Sequence, residues 1–193
     1  AALKHVLACE YNPFEALKTN ILGAQNVIEA AIKAGVRQVI LTSTDKAVNP
    51  CNTMGVSKLI AERLFTAANF YKGSHKTIFS TVRLGNVLGS RGSVIPVVER
   101  QIKDGGPITI TDTRVTRFVM TVEDALRLIF QATAMALGGE IFILKMKVVR
   151  INDLLREMIV RLAPRYGFSS SRIKIKKIGL QPGEKLYEEL LTP

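Results

Sequence analysis

The chain has 193 residues, of which 47% are hydrophobic and 22% charged, a composition typical of a folded globular protein. No apolar run approaches the roughly 20 residues that a membrane-spanning helix needs, and the first residues show no signal-peptide pattern. Two cysteines and two histidines are too few for a disulfide framework or a zinc centre, so we expect no metal and a reducing, cytoplasmic setting.

The net charge of +11 favours an anionic partner: a nucleic acid, an anionic membrane or a phosphorylated small molecule. Most of the basic residues are scattered along the chain. The one basic cluster, at 172–177, alternates with isoleucines, as expected of a half-buried strand with a solvated outer face. We therefore expect no nucleic-acid partner.

Helices and strands alternate over the first 84 residues. Asn12, Pro13 and Glu15 have the pattern of a helix N-cap, a first-turn proline and a capping-box partner, and Gly35 follows as a stop signal. The predicted elements are a helix at 13–34, a strand at 37–42, a helix at 52–71 ended by Gly73, and a strand at 77–84.

The second half of the chain has shorter elements. A glycine-punctuated loop occupies 85–92, and Thr121 with Asp124 forms a capping box that begins a later helix. Strand–helix alternation in the first half with irregular elements in the second predicts an α/β fold, a parallel sheet with a small mixed lobe. The remaining predicted elements are helices at 94–103, 121–135, 152–162 and 184–191 and strands at 108–110, 140–144 and 173–178.

An acid and a base, Asp45 and Lys46, stand side by side just after the apolar run 39–41. A second lysine, Lys58, follows near the start of the next helix. This arrangement puts proton-transfer groups at the carboxyl end of a strand, where open α/β sheets bind their ligands. The sequence therefore predicts part of an enzyme.

A dinucleotide-binding sheet normally begins with a Gly-x-Gly-x-x-Gly turn that seats a pyrophosphate on a helix N-terminus. No such turn occurs in the sequence, and Gly85, Gly89 and Gly92 are spaced too far apart to form one. The chain also opens without a methionine. We expect it to be the second part of a larger protein.

Six segments resemble the nucleotide-sugar 4,6-dehydratases of the extended short-chain dehydrogenase/reductase superfamily. The likeness is strongest to the polysaccharide-biosynthesis branch that acts on UDP-N-acetylglucosamine, and it runs nearly end to end. Each segment alone is a weak signal, but their order makes the combination specific. The segments are AALKHV (1–6), NPxEAxKTN (12–20), STDKAVNP (43–50), RLGNVLGSRGSVIP (83–96), TRFVMT (116–121) and PGEKLYEEL (182–190).

The resemblance implies a partial Rossmann-like, doubly wound parallel sheet that uses NADP or NAD. Residues 1–84 would be the C-terminal part of the cofactor-binding domain. Residues 85–193 would be mainly the nucleotide-sugar-binding lobe, with some segments returning to the sheet. Ala1 and Ala2 would end the fourth strand, so the first three strands and the pyrophosphate turn would lie upstream.

The same resemblance implies a UDP-N-acetylhexosamine substrate in bacterial surface polysaccharide biosynthesis. It also implies a homo-oligomer in which the helices at 14–34 and 52–71 pair as a four-helix bundle, although their apolar faces also suit ordinary core packing. A parent protein anchored by a preceding membrane region is compatible with the family. The enzyme would then lie on the cytoplasmic face of the membrane.

The implied reaction oxidises carbon 4 of the sugar, eliminates water across carbons 5 and 6, and returns the hydride to carbon 6. Lys46 would abstract the carbon-5 proton, as a lysine can when an apolar pocket or nearby cations favour its neutral form. Asp45, if partly buried, would give its proton to the departing hydroxyl. Thr44 matches the residue that hydrogen-bonds the carbon-4 oxygen, and Lys58 matches the lysine that binds the nicotinamide ribose.

Met54 departs from the superfamily signature, which has a tyrosine there as the base for the carbon-4 hydroxyl. A thioether cannot transfer a proton. Two interpretations are open. Family members that carry methionine at this position are taken to be active, and the base would then be a water held by Lys58 and Thr44, or Lys46 acting twice. Alternatively, this copy is impaired.

The remaining site residues are carried over by position. Glu184 would hold the uridine ribose, and Arg117 would orient the pyrophosphate or serve as a buried structural arginine. Gln181 replaces the family's usual arginine, which removes one phosphate contact. The expected cofactor-binding residues are Ala1, Ala2, Lys4, Asn20, Lys58 and Leu84, and the expected substrate-binding residues are His5, Asn86, Arg91, Ser93, Val94, Arg117 and Glu184.

Three other functions remain open beside the dehydratase. A related nucleotide-sugar 4-epimerase or reductase would not need the Asp45–Lys46 pair, because it never removes the carbon-5 proton. An inactive fragment is the second alternative. A basic nucleic-acid-binding module is the third, and its affinity would fall steeply with salt.

Overall fold

A computed structural model describes residues 2–90 and 92–192, so expectations about Ala1 and Arg91 lie outside the described residues. The strands are β1 (Gln38–Thr44), β2 (Ile78–Leu84), β3 (Asn86–Val87), β4 (Ile108–Ile110), β5 (Thr116–Met120), β6 (Ile141–Ile143), β7 (Lys147–Arg150) and β8 (Ile175–Lys177). The helices are α1 (Val6–Tyr11), α2 (Pro13–Ala16), α3 (Gly23–Lys33), α4 (Thr53–Tyr71), α5 (Val94–Lys103), α6 (Val122–Met135) and α7 (Ile151–Leu162). A π-helical turn, Leu17–Leu22, joins α2 to α3, and short 3-10 turns occupy Asp45–Ala47 and Pro164–Tyr166.

The central sheet is parallel, in the order β1-β2-β6, and helices cover both of its faces. On one face Phe79 of β2 packs against Phe65 of α4 in an edge-to-face arrangement, with ring centroids 5.7 Å apart. On the other face Val82 packs against Leu128 of α6. Because alternate residues of a strand point to opposite faces, β2 is buried on both sides, as expected in a doubly wound sheet. The Rossmann-like α/β fold is confirmed.

The outer edge of β1 has no strand partner within the part of the chain that the structure describes. Val39, Ile40 and Leu41 of β1 are only half-buried, although they form the apolar run of this strand. A free edge with partly exposed apolar residues is a template for a further strand.

The second half of the chain builds a separate core. Ile102 of α5, Ile108 of β4 and Leu155 of α7 are fully buried there. β4 pairs with β8 in parallel, and β5 lies between β3, which is parallel to it, and β7, which is antiparallel. The antiparallel pair β5–β7 was not predicted, whereas β6 and α6 return to the central sheet.

The N-terminal helix differs from the expectation. An unpredicted helix, α1, precedes Asn12, a π-helical turn interrupts the predicted helix at 13–34, and the Asn12 side chain makes no capping bond. Its amide instead donates to the Ala8 carbonyl, 3.0 Å away, and Glu15 pairs with Lys18 on the exposed surface. Asn12 is at the N-cap of α2 and Pro13 at its first position, as predicted, but the side-chain bonds of a capping box are absent.

Other helix ends follow the sequence signals. Asn52 caps α4 by accepting a hydrogen bond of 2.7 Å from the Gly55 amide. The Thr121–Asp124 capping box at the start of α6 is present in both directions. α3 stops just before Gly35, which has a φ of 64°. No helix in the described ranges 2–90 and 92–192 is long and apolar enough to cross a membrane.

Residues 181–192, here called the C-terminal strap, are not helical, so the predicted helix at 184–191 is wrong. The Leu186 carbonyl accepts from the Thr116 amide at 2.8 Å. The Leu190 carbonyl accepts from the Arg83 guanidinium at 2.9 Å. A helix at 184–191 would use the Leu186 carbonyl for an i→i+4 bond, so at that position a tertiary bond replaces the local one.

Candidate active site

A cavity of about 430 Å³ opens at the carboxyl ends of β1 and β2. This is the edge of a parallel sheet where ligands bind. Many of the residues expected in the site line this cavity, together with residues of the loop after β2. The expected residues among its lining are Ala2, Lys4, His5, Thr44, Lys46, Met54, Lys58, Leu84, Asn86 and Ser93.

The acid Asp45 lies in the turn that follows β1 and has no exposed surface. The Thr44 hydroxyl donates to its Oδ1 at 2.8 Å, and the Lys46 amine donates to the same oxygen at 2.9 Å. Its other oxygen, Oδ2, is buried with no hydrogen-bond partner in the described structure. Asp45 therefore has one oxygen fixed by two donors and one without a partner, and it lies behind the cavity wall, since it is not among the residues that line the cavity.

The amine of Lys46 lies among three acceptors. It donates to Asp45 Oδ1, and at 3.2 Å to Asn86 Oδ1, while Glu188 Oε1 is 3.8 Å away. The setting is ionic, in contrast to the apolar or cationic environment considered from the sequence. Three acceptors around one nitrogen fix its position at the wall of the cavity.

Lys58 projects from α4 behind the same wall. Its amine donates to the Thr42 carbonyl of β1 at 3.2 Å, and the residue is only 8% exposed. Burial lowers the pKa of the Lys58 amine, while Cys9 and Glu62 oppose that shift.

Met54 occupies the first turn of α4 and is 3% exposed. It packs against Cys9 and Ala16 and contributes an apolar patch to the cavity wall. The next residue, Gly55, lets the helix touch the backbone of the catalytic turn, because a Cβ there would lie 2.3 Å from the Lys46 carbonyl oxygen. The helix and the Asp45–Lys46 turn are therefore packed as one unit.

Asn20 holds the N-terminal segment beside the site. Its side-chain amide accepts from the Leu3 amide at 2.8 Å and donates to the Leu3 carbonyl at 3.0 Å. It also donates to Ser57 Oγ, 2.9 Å away. Asn20 itself is only 4% exposed. Its bonds to Leu3 hold the neighbouring residues Ala2 and Lys4 at the cavity.

The loop after β2 contributes unequally. Asn86 touches Lys46, and Ser93 stands at the N-cap position of α5 with an Oγ that lacks a partner in the described structure. Val94 packs against the core of the second half and does not line the cavity.

Arg117 and Glu184 meet at a smaller cavity of about 260 Å³ that shares Lys46 with the first. Arg117 Nη2 donates to Glu184 Oε1 at 3.2 Å, and Thr111 Oγ1 donates to the same oxygen at 2.8 Å. The Arg117 guanidinium also donates to the backbone carbonyls of Thr116 and Leu186. These bonds favour the structural interpretation of Arg117 and leave Glu184 Oε2 at the edge of the strap.

Glu188 is a site residue that the sequence reasoning missed. It lines the smaller cavity and is 8% exposed. Burial raises the pKa of its carboxyl, Lys46 opposes the rise, and Asp45 adds to it. Only its place in the segment 182–190 could have pointed to it, because nothing in the spacing brings it to Lys46. The described residues contain no cluster that could bind a metal.

Fold and cavity together define a Rossmann-like α/β protein whose ligand cavity opens at the carboxyl ends of β1 and β2. Within that class the chain belongs to the family described as polysaccharide biosynthesis protein, whose model matches residues 1–193. The expected family is confirmed.

Curated relatives match the whole of this chain. An uncharacterized membrane protein of Methanocaldococcus jannaschii is 59% identical over 191 residues, which are 99% of this chain and 57% of the relative. The inverting UDP-N-acetylglucosamine 4,6-dehydratase of Campylobacter jejuni is 45% identical over 193 residues, all of this chain and 54% of the relative. A UDP-glucose 4-epimerase of Rickettsia canadensis is 42% identical over 192 residues, 100% of this chain and 54% of the relative.

Solved structures agree in fold. Pen from Bacillus thuringiensis superposes with a TM-score of 0.96 at 55% identity, covering 100% of this chain and 58% of Pen. The dTDP-glucose 4,6-dehydratase DesIV of Streptomyces venezuelae, solved with NAD bound, gives a TM-score of 0.84 at 22% identity, covering 98% of this chain and 62% of DesIV. The chain thus spans about half the length of the relatives it matches.

Proposed function

We propose that the chain carries the catalytic half of a nucleotide-sugar 4,6-dehydratase that acts on a UDP-N-acetylhexosamine in polysaccharide biosynthesis. The observation that carries the proposal is the Asp45–Lys46 pair: Lys46 lines the cavity, and Asp45, buried behind it, is bonded to Lys46 and has one unpartnered oxygen. An acid and a base held side by side suit an elimination, in which one proton leaves the substrate and another is delivered. The Campylobacter relative named for this reaction supports the same choice.

A nicotinamide cofactor, NADP or NAD, fits one end of the cavity. The buried Lys58 amine makes one bond, to Thr42, and so has further N–H groups to offer a ribose hydroxyl. Ala2 and Leu84 give the small, apolar wall that a nicotinamide ring needs. When bound, the cofactor would supply the hydride acceptor for carbon 4 and the hydride donor for carbon 6.

The cofactor's pyrophosphate has no glycine turn in the sequence to bind it. We propose that further strands of the polypeptide pair with the free edge of β1 and carry that turn. Residues 1–84 would complete this cofactor domain, and residues 85–193 would mainly form the sugar-nucleotide lobe. The 193-residue chain alone should therefore be inactive.

The elimination step assigns one proton to each member of the pair. Within the pair a proton of the Lys46 amine passes to Asp45 Oδ1, 2.9 Å away, and Lys46 then takes the carbon-5 proton on its Nζ, while the electron pair of the broken C–H bond forms the carbon 5–carbon 6 double bond. The carbon 6–oxygen bond breaks, and Asp45 gives its proton to the leaving hydroxyl, so that water departs. Thr44, already bonded to Asp45, lies where its hydroxyl can also meet the carbon-4 oxygen.

The carbon-4 hydroxyl needs a base that Met54 cannot provide. Beside Met54 the cavity wall presents the Thr44 hydroxyl and the Lys58 amine, which can hold a water between them. We propose that this water, or Lys46 acting a second time, accepts the proton.

The nucleotide would bind along the loop after β2 and across the smaller cavity. The unpartnered Ser93 hydroxyl at the start of α5 suits a phosphate oxygen, because backbone N–H groups converge at a helix N-terminus. Glu184 Oε2 makes one bond to the Gln181 amide and can also accept from a ribose hydroxyl.

Homo-oligomerisation is part of the proposal. α2, the π-helical turn and the start of α4 leave apolar side chains exposed, among them Phe14 at 78%, Leu17 at 44%, Val56 at 42% and Ile60 at 38%. Covering such a surface with a second copy would remove it from water.

Isotope exchange tests the function. The complete polypeptide is incubated with UDP-N-acetylglucosamine and NADP in deuterated water, and the product is analysed by mass spectrometry and NMR. A dehydratase yields a 4-keto-6-deoxy sugar with deuterium at carbon 5. The 4-epimerase, supported by the Rickettsia relative, yields the 4-epimer without label at carbon 5 and would displace our proposal.

A further inference from the structure

Glu188 is a nearly buried carboxyl that the reaction above does not use. Its side chain is 3% exposed, its Oε1 is 3.8 Å from Lys46 Nζ, and its Oε2 has no hydrogen-bond partner in the described structure. A buried carboxyl costs free energy unless a cation or donors compensate it, and here the nearest cation is the proposed base. This arrangement needs an explanation beyond folding.

The C-terminal strap fixes Glu188 from both sides. Before it, the Lys185 amine donates to the Val48 carbonyl at 3.1 Å. After it, Glu189 accepts from Asn49 Nδ2 at 3.1 Å. Both partners belong to the turn that follows Lys46, so the strap is tied to the segment that carries the base. These bonds hold the backbone of Glu188 beside the turn that follows Lys46.

Resting on the proposed function, we propose that Glu188 is a positioning residue that holds the Lys46 amine in line with the substrate and balances its charge after proton transfer. When Lys46 gains the carbon-5 proton it becomes an ammonium ion between Asp45 and Glu188. A fixed carboxylate at that point stabilises the charge that develops. Without it, the long lysine side chain would lose one of three neighbours that restrict it.

The electrostatic surroundings of Glu188 predict a pH effect. Burial raises the pKa of the carboxyl, and the other charged groups that face it are Lys46, Asp45, Arg117 and Lys185. A raised pKa means that the carboxylate is lost at a higher pH than for an ordinary glutamate as the solution is acidified. The rate should therefore show an acid limb that depends on Glu188.

The test compares Glu188→Gln with the matched control Glu189→Gln in the complete polypeptide. Glu189 is the next residue of the strap, and a glutamine there keeps an oxygen that can accept from Asn49 Nδ2, so this variant removes a neighbouring charge and retains the tie. We expect Glu188→Gln to lower kcat at least tenfold with KM changed less than threefold, and to lose the acid limb. Glu188→Asp should recover part of kcat, and Glu189→Gln should behave as wild type.

A second measurement does not need the reaction. Acetylation of Lys46 by acetic anhydride, followed by peptide mass spectrometry, should be several-fold faster in Glu188→Gln than in Glu189→Gln, because the amine loses its carboxylate neighbour. If the wild type shows no carbon-5 exchange yet acetylation changes, the proposed dehydration is wrong and the positioning stands. If exchange occurs and neither kcat, the acid limb nor acetylation differs between the two variants, the positioning role is refuted. A Glu188→Gln variant that loses substrate affinity and melting temperature along with kcat would also overturn the positioning role, because such a combined loss indicates a structural role.

Discussion

Gly55→Ala is the sharpest test of how the active-site turn is built. A Cβ at Gly55 would lie 2.3 Å from the Lys46 carbonyl oxygen and 3.1 Å from both Asn52 Oδ1 and Pro50 Cβ. Real Cβ contacts essentially never fall under 3.0 Å, so the turn or the helix must move by at least the difference, about 0.7 Å. The atom in the way belongs to the backbone, so a side-chain rotation cannot relieve the contact.

Two effects of the substitution compete in the free energy of unfolding. Alanine is favoured over glycine in a helix by up to about 1 kcal/mol, whereas overpacking a rigid site costs roughly 1–3 kcal/mol. We expect a net destabilisation of about 1–2 kcal/mol. The activity should fall much further, since a displacement approaching 1 Å of a reacting group can cost about a hundredfold in rate.

Gly23→Ala in α3 is the matched control. The nearest atom to its Cβ would be the Lys18 carbonyl oxygen at 3.6 Å, an ordinary contact, so the variant should be as stable as wild type or slightly more stable. Urea unfolding and carbon-5 exchange are measured for both variants. If Gly55→Ala matches Gly23→Ala in both assays, the helix and the catalytic turn are not packed as described.

Three further predictions concern the base, the departure at Met54 and the buried ion pair below the site. Lys46→Ala should slow carbon-5 exchange by about 10²–10⁴-fold, while calorimetry should show that substrate binding is largely retained. Exchange at the wild-type rate would show that Lys46 is not the base. Met54→Tyr should keep or raise the rate of carbon-4 oxidation, followed as NADPH absorbance, because Lys58 can support the phenol, whereas an inactive variant that still binds NADP would contradict the water relay. Glu62→Ala should cost roughly 3–5 kcal/mol in urea unfolding, because it strips Arg83 of a buried carboxylate with contacts of 2.8 and 3.0 Å; a cost under about 1 kcal/mol would mean that solvent reaches the pair.

Local signals predicted the elements that carry the catalytic pair. β1, α4 and the Thr121 capping box are encoded within a few residues of sequence, and the structure has all three. Asn12 is the N-cap residue of α2, but its side-chain oxygen accepts no capping bond, and its amide donates to the Ala8 carbonyl of α1, a helix that the sequence reasoning had not expected. The preference of asparagine for the N-cap position does not guarantee a capping bond where the side chain can bond to another backbone group.

The strap shows where sequence reasoning stops. Residues 184–191 have charged and apolar residues at helical spacing, yet the carbonyls of Leu186 and Leu190 accept bonds from β5 and β2. No local pattern states that Arg83 will reach Leu190, because that bond depends on the packing of the whole molecule. Glu188 was missed for the same reason, since its neighbour Lys46 is close to it only after folding.

This division between local and tertiary information bears on how the site should be recognised in other chains. The segment 43–50 supplies the acid and the base, but the segment 182–190 supplies the carboxylate beside the base and the bonds to Val48 and Asn49 that hold it there. A chain with the first segment and a changed second one would retain the Asp-Lys pair and lose part of its control over the lysine. Under the proposed mechanism, Asp45 and Lys46 alone are a weaker sign of dehydration than the same pair together with a glutamate at the position of Glu188.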